Sequence, residues 1–289
     1  MKIPNLHFRR QVVQTGHGGR HNSSFRHAII GCCMIAVLLV LCYGAPLFTR
    51  QDPFAQDVSN ALRGPYAAHI LGTDALGRDV WSRLLYGGRL DMLVAVIAVI
   101  APLVAGTVPG SVGGFFGGWI DTLIMRVADV ISAFPFYVLA IALVFVIGNG
   151  MGSVFIAIGV VSWVPYCRLV RAAASKIRNM DYVAAAHMGG FGNTRIIVNH
   201  VVPNVLRQAL TYAVTDASAN IGVIVTLSYF GMGLVPPQPD WGQMLSDGQQ
   251  YFISGNYQLI VFPAIAIVIT SFAFSLIGEG LNSRKDVDE

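Results

Sequence analysis

Residues 130–167 carry no charged side chain. A helix crosses the hydrocarbon of a bilayer with about 20 apolar residues, so this run of 38 is nearly long enough to cross twice. A chain that does so must turn between the crossings, and Gly148-Asn149-Gly150-Met151-Gly152 is the natural turn. Two other stretches, 28–49 and 92–120, are also uncharged and each supplies one crossing. The first is longer than the 7–15-residue apolar core of a signal peptide. Two more apolar runs follow nearer the C-terminus. The expected fold is an all-α integral membrane protein with six transmembrane helices, at 28–49, about 90–112, 126–148, 153–167, 206–230 and 258–278.

Composition agrees. Only 12% of the 289 residues are charged, about half the share an ordinary soluble domain needs for its surface. That excludes a soluble enzyme, a disordered chain and a disulfide scaffold. The net charge of +4 does not point to nucleic acid, because the excess flanks membrane spans. Before residue 28 stand Lys2, Arg9, Arg10, Arg20 and Arg26 with no acidic residue. Segment 168–207 carries Arg168, Arg171, Lys176, Arg178, Arg195 and Arg207 against Asp181 alone, and 231–257 carries Asp240 and Asp247 with no Lys or Arg. Basic loops stay inside, so both termini and 168–207 are expected in the cytoplasm, with 50–89 and 231–257 outside.

Helix packing has a visible device. Gly106, Gly110, Gly114 and Gly118 recur every fourth residue, a small-residue ladder that lets membrane helices approach closely. Pro102, Pro109, Pro135, Pro165 and Pro263 lie in or near spans, where proline can kink a helix. Cys32, Cys33, Cys42 and Cys167 lack metal-ligand spacing and read as small apolar residues.

A power supply is missing. A phosphate-binding loop needs Gly-Lys-Ser/Thr, but the three lysines are followed by Ile3, Ile177 and Asp286. An ion-coupled carrier usually has ionisable residues within its spans. Of Asp91, Asp129, Asp216 and Glu279, only Asp216 is placed deep, which makes it a candidate pathway residue. All seven histidines fall outside the spans. The chain therefore reads as part of a machine driven from outside, with no catalytic residue, metal site or bound cofactor of its own.

Segment 168–207 is long and patterned for a connector. Residues 181–188 read as a short helix stopped by Gly189-Gly190, with His200, Pro203 and Asn204 at the foot of the fifth span. Asp181-Tyr182-Val183-Ala184-Ala185-Ala186, Gly190 and His200-x-x-Pro203-Asn204 resemble the EAA loop of ATP-binding cassette importer permeases. Leu71-Gly72-Thr73-Asp74-x-Leu76-Gly77-Arg78-Asp79, Gly117-Gly118-Trp119-x-Asp121 and Pro236-Pro237-x-Pro239-x-Trp241-Gly242 narrow the resemblance. They are similar to motifs of the C-type permease subunit of dipeptide, oligopeptide and nickel importers.

The resemblance covers about residues 71–280 and implies a type I importer permease fold. Its parts would be a cytoplasmic tail (1–27), the first span (28–49), an extracytoplasmic segment (50–89), a permease domain (90–281) and a short cytoplasmic tail (282–289). It implies ATPase coupling through Asp181, Tyr182, Ala184, Ala185, Ala186, Gly190, His200, Pro203 and Asn204. Gly72, Thr73, Asp74, Gly77, Arg78 and Asp79 would form the extracytoplasmic motif. The motif's usual glutamate corresponds to Ala184 here, which removes a polar anchor from the loop. Implied partners are a second permease, two ATPases that use the ATP, an extracytoplasmic solute-binding protein and the lipid of a bacterial inner membrane. The implied solute is a short peptide, with nickel or a metal chelate as the alternative within the branch. A stand-alone receptor or membrane enzyme is the reading from another class, and it would be active without partners.

Orientation can be measured with an impermeant thiol reagent on intact cells. A cysteine at Asp247 should be labelled and one at Asn193 should not; the opposite pattern would reverse the topology.

Overall fold

The computed structural model describes residues 18–282, with side chains from Arg26 onward. The tail residues Lys2, Arg9, Arg10, His7 and His17, and residues 283–289, lie outside the described residues. Regular structure among the described residues is helical apart from two isolated β-bridges. The helices are α1 (Gly18–Tyr43), α2 (Ala45–Phe48), α3 (Val80–Phe116), α4 (Gly118–Ser132), α5 (Phe136–Ile147) and α6 (Met151–Ile177). There follow α7 (Asp181–Met188), α8 (Asn193–Ile196), α9 (Val202–Tyr229), α10 (Trp241–Gln249) and α11 (Gln258–Asn282). Five stretches are long and apolar enough to cross a membrane, and six if the bent pair α4–α5 counts as one.

The spans are longer than their apolar runs. α3 begins at Val80, ten residues before the expected boundary, because Asp79 caps it by accepting the Ser82 amide at 2.7 Å. α6 continues through Arg168 and Arg171 to Ile177, so 168–207 is not a free loop. Its first ten residues finish one span. Its end belongs to another, since α8, a π-turn at Ile197–Val201 and α9 run on as one stretch, Asn193–Tyr229. Pro203 has no N–H to give to the preceding turn, and the helix widens immediately before it.

α3 and α6 are the packed centre. Both run the same way, and three glycines of the α3 ladder lie directly on α6 backbone. A methyl group built on Gly106 would come within 2.5 Å of the Trp163 carbonyl, and one on Gly110 within 2.7 Å of the Cys167 carbonyl. Gly114 is closed off in the same way by Arg171. The fourth glycine does not belong to this contact: Gly118 sits in the α3–α4 turn with no atom within 4 Å of such a methyl. Outside this centre α9 packs on α3 and α6, and α11 on α9 and α1. In its N-terminal part α3 closes on α1, where Arg89 donates to the Cys42 and Tyr43 carbonyls at 2.5 and 3.0 Å. These are orphan acceptors of the last turn of α1.

The third span departs from expectation. Residues 126–148 are two helices, α4 and α5, bent by 87°. Of the five prolines only Pro135 marks a break; Pro102, Pro109, Pro165 and Pro263 ride inside continuous helices. Proline alone is therefore insufficient. The second cause is charge: Asp121 of α4 is paired with Arg171, and Asp129 with Arg168 at 3.0 Å, both on α6. Those pairs hold α4 across α6 and off the axis of α5.

Apolar side chains also point outward, as a bilayer demands: Val108, Phe145, Val146 and Val268 are all more than half exposed.

Crowding at the centre can be tested. Gly110→Val adds an isopropyl group, three carbons, against α6 and should lower stability by about 1–3 kcal/mol. Gly222→Ala on α9 has open space around it and should be neutral or slightly stabilising in the same thermal-unfolding series.

Candidate functional site

At the end of the bundle where α3 and α6 finish, α7 is keyed into the core by two side chains. Val183 and Ala186, three residues apart on one helix face, are 1% and 9% exposed and join a cluster with Phe115, Val170, Ile177, Ile196 and Val205. That cluster includes α3, α6, α8 and α9, so α7 is seated against the ends of several helices at once. His187 also stacks on Phe115 of α3, with ring centroids 6.3 Å apart. The other face looks away from the protein. Asp181, Tyr182, Ala184 and Ala185 are exposed, and Met188 is 85% exposed. Of the three alanines grouped together in the sequence, only Ala184 and Ala185 belong to the free surface; Ala186 belongs to the core.

The helix ends where glycine permits it. Gly190 adopts φ +79°, its amide bonds the His187 carbonyl, and the Phe191 amide bonds the Ala186 carbonyl. This is a Schellman stop. Beyond it, the His200 ring lies 6.2 Å from that of Tyr182, and the Asn204 side chain donates to the His200 carbonyl at 2.6 Å. Tyr182, His200 and Asn204 are thus brought together beside α7, while Pro203 acts on the helix course.

At the other end, residues 72–79 form a compact knot. Asp74 is its centre. Its Oδ1 accepts the Leu76 and Arg78 amides at 2.9 and 3.0 Å, and its Oδ2 accepts Arg78 Nε at 2.7 Å. Arg83 of α3 approaches the same oxygen at 3.6 Å. Thr73 donates to the Asn60 carbonyl at 2.5 Å and accepts the Arg63 amide at 3.0 Å. Asp79 takes His69 Nδ1 at 2.7 Å besides capping α3. Gly72 and Gly77 lie directly under the Arg63 and Asp57 carbonyls, leaving no room for a side chain. The motif therefore ties the 49–79 segment to the start of α3. Beside it, a cavity of about 240 Å³ is lined by Arg78, Arg83, Met244, Asp247 and Tyr251. Burial pushes the Asp247 carboxyl up from its ordinary range, with Arg78 and Arg83 opposing.

Trp241 is the bolt between this end and the spans. It is 1% exposed, donates its indole N–H to the Leu84 carbonyl at 2.8 Å, and gives its backbone N–H to Asp91 at 2.9 Å. It fits over Gly88 of α3, where a methyl group would strike its ring at 2.5 Å. Asp240 caps α10 through the Gly242 and Gln243 amides and accepts Ser228 Oγ of α9 at 2.6 Å. Reading the sequence alone missed Gly87-Gly88 and the role of Asp91, which signal each other: a glycine pair one turn before an acid in an apolar helix marks a close, polar approach.

Asp216 lies partly buried in the middle of α9. Its Oδ2 accepts Tyr166 O–H of α6 at 2.9 Å and Asn220 Nδ2 at 3.1 Å. It is a tie between two spans. Among the described residues no three His, Cys, Asp or Glu side chains gather as metal ligands.

The knot has a measurable weight. Asp74→Ala leaves the buried guanidinium of Arg83 without its carboxylate and that of Arg78 with only Asp247, at 3.8 Å, and should cost about 3–5 kcal/mol. Asp57→Ala, at an exposed cap, should hardly move the same unfolding transition.

Comparison with known proteins agrees with this geometry. A family model described as the binding-protein-dependent transport system inner membrane component matches residues 103–286. The chain is 40% identical over 266 residues to the dipeptide transport system permease protein DppC of Escherichia coli, covering 90% of this chain and 88% of the relative. It is 37% identical to the DppC of Alkalihalophilus pseudofirmus, over 90% and 85% of the two chains. Against the glutathione transport system permease protein GsiD of Pectobacterium atrosepticum the identity is 34%, over 90% and 87%. Helical spans of sufficient length, motifs folded at both ends of the bundle and a match of this extent converge. The chain belongs to the binding-protein-dependent transport system inner membrane components and is a membrane transport subunit, not an enzyme.

Proposed function

We propose that the chain is one permease subunit of an ATP-driven importer of short peptides, in a bacterial inner membrane with both termini cytoplasmic. It pairs with a second, related permease to enclose the translocation path. Two separate ATPase subunits supply the ATP chemistry, consistent with the lack of any Gly-Lys-Ser/Thr sequence here, and a solute-binding protein delivers substrate to the outer face. A peptide solute is supported by the relatives, several of which are described as dipeptide or peptide transport permeases.

One observation carries the reading: α7 has an anchored face and a free one. Val183 and Ala186 lock it to the ends of the spans, while Ala184, Ala185 and Met188 face outward. A helix so seated transmits displacement as a rigid body, because a close-packed seat does not deform continuously. Its small alanine side chains let an ATPase surface approach closely, and Met188 supplies an adaptable apolar contact. Ala184 in place of the usual glutamate makes this contact one of shape more than charge. Movement of α9 against α6 would open the Tyr166–Asp216 bond and turn the Asp216 carboxylate toward the path, where it can meet a peptide ammonium.

Ala185→Arg tests the coupling. The change places a hydrated charge in a close contact, a penalty of several kcal/mol, while alanine and arginine are both good helix formers. Peptide uptake and ATPase stimulation by loaded binding protein should fall by at least roughly tenfold, with normal amounts of the subunit in the membrane. Full stimulation and uptake in this variant would place the coupling surface elsewhere.

A further inference from the structure

α4 is the helix that the bundle does not explain. It meets α5 at 87°, and its ion pairs fix how it lies. Asp121 and Asp129 are eight residues apart, about 12 Å of helix. Their partners Arg171 and Arg168 on α6 are three residues apart, about 4.5 Å. α4 thus crosses α6 steeply. The same pairs fix its depth. Arg168 is 17 residues from the start of α6 at Met151, about 25 Å along the helix, close to the roughly 30 Å thickness of the hydrocarbon. α4 therefore rests where acyl chains give way to headgroups.

Its faces suit that place. Trp119, Leu123, Val127 and Val130 recur at spacings of four, four and three, all exposed, with Phe134 continuing the line just past the helix end. Asp121 and Asp129 turn from this stripe toward α6. A helix with such a stripe and charges opposite lies in the membrane boundary. On its hydrocarbon side an open groove of about 760 Å³ runs between α3, α4 and α6, walled by Ala105, Pro109, Ile124, Val127, Phe155 and Gly159. The groove has room: a methyl group on Gly159 would meet only Ala101 Cβ, at 3.5 Å.

Arg126 completes the arrangement. It is exposed at the edge of the stripe, with no ion pair or hydrogen bond to any described residue, since both carboxylates of α4 are taken by α6. An unpaired guanidinium at headgroup level above a carbon-walled groove is complementary to a molecule with a phosphate at one end and a long chain at the other. We propose that α4 and the groove beneath it form a binding site for one anionic phospholipid, with its phosphate on Arg126 and an acyl chain along α3 and α6. A single lipid satisfies both features at once, the phosphate meeting the guanidinium and the acyl chain meeting the apolar walls; a helix of a second subunit is the competing occupant, which the crosslinking arm of the test reports. The site would couple membrane charge to the seating of α4, and through Asp121 and Asp129 to α6.

The test uses the full-length chain in the complex purified from membranes, with native mass spectrometry in mixed micelles of phosphatidylglycerol and phosphatidylcholine. The wild type should retain phosphatidylglycerol preferentially. Arg126→Gln should weaken that retention about fivefold, the contribution of one basic residue near an anionic surface, and leave phosphatidylcholine unchanged. Gly159→Leu should fill the groove and release both lipids. Both variants should melt like the wild type, so lost retention is not lost folding. Equal retention of phosphatidylglycerol by wild type and Arg126→Gln would overturn the proposal. So would a Val160→Cys variant that crosslinks to another subunit while no lipid is retained.

Discussion

The contact between α3 and α6 governs the rest. Three glycines one turn apart bring two parallel helices to backbone distance, and in lipid that contact must come from shape, because no hydrophobic effect drives helices together there. Parallel spans put their C-terminal ends side by side. There Phe115 of α3 and Val170 and Ile177 of α6 build the seat for Val183 and Ala186. Before it meets α6, the N-terminal part of α3 carries the knot of Asp74 and Arg78 and the buried Trp241. Loosening the glycine contact would disturb both ends at once, which is the mechanical requirement for a subunit that relates events on opposite faces of a membrane.

Polar groups within the bundle are handled in pairs between elements. Asp216 binds Tyr166, Ser218 donates to the Ser271 carbonyl at 2.7 Å, Asp91 holds the Trp241 amide, and Asp240 joins α9 to α10. Each bond joins two separate elements, and three of the four join residues 50 or more positions apart in the chain. In hydrocarbon an unpaired polar group costs several kcal/mol, so such bonds act as address labels: they are weak reasons for stability but strong reasons for one arrangement over another. Two hydroxyls of α3, Thr107 and Ser111, stand outside this scheme, buried without a partner.

Much of this was legible in the residues. Uncharged run lengths located the five long apolar helices, the four-residue glycine repeat marked a close-packing face of α3 without naming α6 as its partner, and Gly189-Gly190 located the end of α7. The motifs quoted from the outer segment and the inner connector do fold as local units. What escaped was tertiary. The steep angle of α4 depends on Arg168 and Arg171, 39 and 50 residues downstream of Asp129 and Asp121, and no local period encodes a partner at that distance. Charge-free runs also understate helices that continue past the hydrocarbon, which is why α3 and α6 overran their expected ends. The burial of Ala186 beside the exposed Ala185 could be read only once the Val183 face had found its seat. Identical residues in a row carry no label for inside and outside.

The pairing of α4 with α6 has a consequence for biogenesis. Chains emerge from the ribosome in order, so α4, with Asp121 and Asp129, reaches the membrane before the arginines that will neutralise it. During that interval two carboxylates wait at the boundary, and the arginines arrive as free positive charge, able to set the orientation of α6 by the usual asymmetry of insertion. Only when α6 is in place do they become structural partners of α4. The charge that the insertion machinery reads is therefore not the charge that the finished subunit displays.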